Sequence, residues 1–97
     1  MSKKDKIIER VLSVSNDITF EELTRFLKIF GYFLYNKGKT SGSRVIFKDD
    51  TDSKIYMHKP HPSNIVKKVY IVEIIDILVK EGKLWLEIYI TRIMLEV

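Results

Sequence analysis

Two histidines, His58 and His61, stand three residues apart in the stretch MHKPHPSN, and the chain has no others. Imidazole is the side chain best suited to take up and return a proton near neutral pH. Lys59 lies between them, and Lys67 and Lys68 follow shortly after. Such a set suits a phosphodiester, with His61 or His58 as acid or base and the lysines holding phosphate. The same residues also read as a rigid surface turn, His-Lys-Pro-His-Pro, with incidental histidines, and the pattern leaves both readings open. For a metal they are a poor set, because a proline separates the histidines and the chain contains no cysteine. KDDTDS, residues 48–53, has the composition of a calcium loop but lacks the glycine and terminal glutamate of an EF-hand, and reads as a solvated hairpin. No Gly-x-Ser-x-Gly marks a serine nucleophile.

A second candidate is Gly38-Lys39-Thr40, which has the form of the end of a nucleotide-binding P-loop. That loop needs a glycine five residues before Gly38, where Phe33 stands, and a helix afterwards, where a strand is expected. Both requirements fail. Gly38 and Gly42 suit a hairpin loop instead. Its cationic and hydroxyl side chains, Lys37, Lys39, Ser43 and Arg44, can contact a nucleic-acid backbone.

The elements that must position these residues follow from hydrophobic spacing. Residues 3–14 predict a short helix, with Ser2 as N-cap and Ile7, Ile8, Val11 and Leu12 on one face. Thr19 and Glu22 form a capping box for a helix over 20–30, where Phe20, Leu23, Phe26, Leu27 and Phe30 make a stripe ended by Gly31. Its aromatics follow helical spacing and so belong to the core. Residues 32–36, 43–48 and 54–59 predict three strands of an antiparallel meander. After Pro60 and Pro62, Ser63 or Asn64 opens a long helix that runs to Glu81 and is ended by Gly82. Its apolar residues cover more than half its circumference, with Glu73, Asp76 and Lys80 on the wet side, so two covered faces are expected. The tail, KLWLEIYITRIMLEV, reads as a strand, with a helix as the alternative, and needs a partner or burial.

Ninety-seven residues, 45% hydrophobic and 31% charged, describe one ordinary folded domain. The absence of cysteine excludes a disulfide framework and suits a reducing cytosol. No secretory signal or bilayer-length apolar run is visible, so a cytoplasmic protein without membrane contact is expected. The net charge is +4. Lys37, Lys39, Arg44, Lys48, Lys54, His58, Lys59, His61, Lys67 and Lys68 gather in the middle of the chain, an electrostatic footprint for phosphates if they share a face.

The order helix, three-stranded meander, helix, with a basic centre, is that of double-stranded-RNA-binding-like folds. Within that group the chain resembles the HicA toxins of bacterial type II toxin–antitoxin systems. The resemblance rests on FEELTRFLKIFGYFLYNKGKTSGSRVIF and IYMHKPHPSNIVKKVYIVEIIDILVKEGKL, with Gly31 ending the first helix, Gly42-Ser43 before the second strand, His61-Pro62 before the last helix and EGKL after it. It covers residues 18–84, leaving 1–17 as an N-terminal helix and 85–97 as an extension. The fold implied is α+β, a three-stranded antiparallel sheet against two helices, with a short helix before it and an extra strand after it. The activity implied is cleavage of mRNA without a metal or nucleotide cofactor, neutralised by a HicB-like antitoxin covering the active face. The family places its catalytic histidine just after Gly-Ser, and here Arg44 follows. Arginine does not release its proton at neutral pH, but it binds phosphate and stabilises a crowded phosphoryl transition state. Three outcomes follow: His58 or His61 takes over across the sheet, the protein binds RNA without cutting it, or only a partner surface remains. Trp85, Leu86, Ile88 and Ile90 in the extra strand are the residues for a homo-oligomer contact, or for core burial.

Overall fold

The computed structural model describes residues 3–35 and 44–84. Helix α1 spans Lys3–Leu12, α2 spans Phe20–Ile29, and a sheet follows from β1 (Phe33–Leu34), β2 (Arg44–Lys48) and β3 (Lys54–His58) before α3 (Lys68–Lys80). The sheet is antiparallel in the order β1-β2-β3, as a meander requires. The molecule is therefore a small α+β domain of the expected element order. No helix among the described residues is long and apolar enough to cross a membrane. The loop carrying Lys37, Lys39 and Ser43, and the C-terminal strand expected after Leu84, lie outside the described residues.

The first two helices are joined by charge as well as by apolar contact. Val11 and Leu12 are buried, and the left-handed Val14 (φ 51°) turns the chain out of α1. The Arg10 guanidinium then donates to Glu22 at 2.8 Å and to Asp17 at 3.1 Å. Glu22 also closes the capping box of α2: its backbone N–H donates to Thr19 Oγ1 and its carboxylate accepts from the Thr19 N–H, each at 3.1 Å. At the other end Gly31 adopts φ 87°, a conformation costly for any residue with a Cβ. Gly31 N–H and Tyr32 N–H donate back to Lys28 and Leu27, satisfying the helix's last carbonyls.

The sheet has two distinct faces. Val45, Phe47, Ile55 and Met57 point inward and are buried, meeting Phe20, Leu23, Phe26 and Leu27 of α2 and Ile71, Ile74, Ile75 and Leu78 of α3 in one core. Arg44, Ile46, Lys48, Lys54, Tyr56 and His58 alternate with them and point outward. Phe20 and Phe47, with ring centroids 6.1 Å apart, tie α2 to the sheet.

Two sequence expectations need correction. The last helix starts at Lys68, not at Ser63 or Asn64. Residues 64–66 run extended beside 18–20, with Phe20 N–H donating to Asn64 O at 3.0 Å and Val66 N–H to Ile18 O at 2.8 Å. Backbone groups used in that pairing cannot also form a helical turn. Along that helix Val69 and Val72 are 57% and 53% exposed, and the tail, one of the covers expected for its second apolar face, lies outside the described residues. Finally, KDDTDS is not a fully solvated hairpin. Asp49 is buried, and its Oδ1 accepts from the backbone N–H groups of Thr51 (2.9 Å) and Ser53 (2.8 Å) and from the Thr51 hydroxyl (2.8 Å). Its other oxygen pairs with Lys83, beyond the end of α3.

Candidate nucleic-acid interface

The register of β2 and β3 sets Arg44 directly opposite His58. The strands pair Val45 with Met57 and Phe47 with Ile55, so burial of those four fixes which residues face out. Arg44 begins β2 and His58 ends β3, which places both at one end of the sheet, exposed, on the outer face. A cleft of about 330 Å³ opens there, lined by Arg44, Tyr56, His58 and Tyr70.

His58 and Tyr70 also line a second cleft, again of about 330 Å³, formed by the connection from β3 to α3. Lys59, His61, Ser63 and Lys67 complete its polar lining. The two hollows therefore meet at His58 and Tyr70, and His61 lines the second alone. The start of α3 supplies Lys67 at the helix N-cap, with no side chain bonded across the first turn. Lys59 leans toward the ring of Phe20, its Nζ 5.4 Å from the centroid.

Of the residues singled out in the sequence, Arg44, His58, Lys59, His61 and Lys67 thus gather around two adjoining clefts. Lys68 is exposed one position further along α3 and lines neither. Lys37, Lys39 and Ser43 belong to the residues not described. Tyr56 and Tyr70 were not singled out. Period-2 alternation through KIYMH carries the signal for Tyr56, since it puts Lys54, Tyr56 and His58 on one face. Tyr70 is legible only once the late start of α3 is known.

Chemically, a histidine and an arginine across one cleft divide two tasks. The imidazole can move a proton, and the guanidinium can hold charge on a phosphoryl group without titrating. Lysines beside them add sequence-independent attraction for a phosphate chain.

A larger cleft, about 770 Å³, lies elsewhere, beside β1 and the end of α2. Ile29, Phe30, Phe33 and Leu34 give it an apolar lining, and it contains no histidine. Three of its charged groups are committed to ion pairs, Lys48 with Asp52 at 2.7 Å and Asp49 with Lys83. Hydrogen bonding from Lys83, reinforced by Thr51 and Ser53, holds the Asp49 carboxyl well below the usual carboxylate range, a structural role. Volume favours this cleft; reactive groups favour the end of the sheet with Arg44 and His58.

Comparison with protein families, with characterised proteins and with solved structures finds no match to this chain.

Proposed function

We propose that the protein is a HicA-like RNA-directed toxin with a double-stranded-RNA-binding-like fold, acting in the cytoplasm as an endoribonuclease on mRNA. The observation that carries this reading is the cross-strand pairing of Arg44 with His58 beside a cleft. The resemblance puts a catalytic histidine where Arg44 stands, and the residue directly across the sheet is itself a histidine. The acid/base group is then moved by one strand rather than lost.

In this scheme His58 takes the proton of a ribose 2′-hydroxyl, whose oxygen forms a bond to the adjacent phosphorus as the bond to the 5′-oxygen breaks. Arg44 stabilises the charge that develops on the phosphoryl oxygens. His61, in the lining of the adjoining cleft, is the candidate to protonate the leaving 5′-oxygen, and Lys59 and Lys67 hold the flanking backbone. A HicB-like antitoxin would silence the protein by covering this end of the sheet.

Induced expression of wild type and of His58→Ala, His61→Ala and Arg44→Ala variants tests the scheme through growth and transcript integrity. Wild type should arrest growth and break transcripts. His58→Ala should cut the cleavage rate of the purified protein about 10²- to 10⁴-fold, the usual contribution of a proton-transfer group. Arg44→Ala should weaken RNA binding as well. Intact transcripts with the wild type would remove the nuclease. The presence of Arg44 at the family's histidine position favours one second reading, an RNA-binding module without cleavage, which would show salt-dependent affinity and no broken strands.

A further inference from the structure

The outer face of the sheet carries aromatic rings that the cleavage scheme does not use. Register arranges that face in three rows: Arg44 opposite His58, Ile46 opposite Tyr56, and Lys48 opposite Lys54. Tyr35 extends the middle row, since its N–H donates to Ile46 O at 2.8 Å, and Phe33 extends the third as the partner of Lys48. Phe33, Tyr35 and Tyr56 are each more than half exposed, and Lys48 Nζ lies over one side of the Tyr35 ring, 4.8 Å from its centroid. None of the outward-facing residues of the three strands is acidic; the nearby Asp52 is paired with Lys48.

Resting on the RNA-directed reading above, we infer that this face is a track for single-stranded RNA, with bases stacked on Tyr56 and Tyr35 and phosphates held by Arg44 and Lys54. Rows two residues apart along a strand are separated by about 7 Å. Open sheet faces with exposed rings stack two or three unpaired bases, and stacking needs an unpaired base because a duplex hides its base faces. The charge pattern argues against a protein occupant. Cores of protein–protein interfaces are depleted in lysine, whereas here two lysines face each other beside the rings.

The test is fluorescence anisotropy with labelled oligouridine and with an RNA duplex of equal length, using the full chain as wild type, Tyr35→Ala, Tyr56→Ala and Tyr56→Phe. Both tyrosines are exposed, and circular dichroism checks that each variant folds. The single strand should bind more tightly than the duplex. Each alanine change should weaken single-strand binding by about 5- to 150-fold, the loss of one stacked base, while Tyr56→Phe keeps the ring and the affinity. Alanine variants that bind like wild type overturn the inference, and so does a preference for the duplex. Cleavage by the same proteins separates this inference from the reading beneath it. His58-dependent cleavage with unchanged Tyr35→Ala and Tyr56→Ala binding removes the track and leaves the nuclease. Ring-dependent single-strand binding without cleavage by wild type keeps the track and removes the nuclease.

Discussion

Asp49 shows how one side chain can set the geometry of a site more than a strand away. It is the buried carboxylate of the described residues, and it closes the turn from β2 to β3. Asp49 N–H donates to Ser53 O while its carboxylate accepts from Ser53 N–H, so Lys48 and Lys54 are held as partners. From that pair the register runs outward to Arg44 and His58. Lys83 holds the carboxyl far below its usual range, which makes the turn acid-sensitive. The sign follows from linkage: in the unfolded chain the same group binds a proton near pH 4, so protonation favours unfolding there. Its stabilisation is complete above about pH 5 and declines as the pH falls toward the depressed folded value. Asp49→Asn should therefore be less stable at neutral pH and lose less stability between pH 5 and 2 than wild type. Urea midpoints measured across that range check it. A parallel acid limb in the variant would show that Glu22 and Asp52, whose carboxyls are also lowered, carry the whole effect.

At the scale of elements, α2 is the piece whose ends are most fully specified. The Thr19 capping box and the left-handed Gly31 are both legible in the sequence, because each needs only local residue types. Thr19→Ala should cost about 1 kcal/mol, lowering the melting temperature by roughly 4–8 °C, and Thr19→Ser should restore most of it. Gly31→Ala should cost about 1–2 kcal/mol through backbone strain alone, since a Cβ there meets no atom within 4 Å. Thermal unfolding of the three variants decides it, and a neutral Gly31→Ala would mean the chain leaves α2 by another route. The strands were legible in the same local way, from their β-branched and aromatic residues and the turn residues between them. The start of α3 was not, because what extends residues 64–66 is their pairing with residues 18–20, far away in sequence. The histidines could be found by type. Their ranking could not, since only the register, set by the Asp49 turn, tells His58 from His61.

The charge of the whole molecule decides what kind of contact holds RNA. A net charge of +4 on its own fits many proteins that never meet a nucleic acid, so its placement matters more. Four exposed cations, Arg44, Lys54, Lys59 and Lys67, lie on the outer sheet face or beside the two clefts that meet at His58. Lys48 shares its charge with Asp52, and Lys83 with Asp49. Three to four phosphate contacts on a single strand give a slope of log affinity against log salt of about −2 to −3. Affinity should then fall about 20- to 50-fold between 50 and 200 mM salt. Lys54→Ala should make the slope about 0.7 shallower while leaving the tyrosines in place. Lys28→Ala, on the exposed side of α2, should leave it unchanged. Anisotropy titrations at several salt concentrations measure all three slopes. Equal changes for Lys28→Ala and Lys54→Ala would mean that RNA senses only net charge, and the sheet face would lose its claim to be the binding surface.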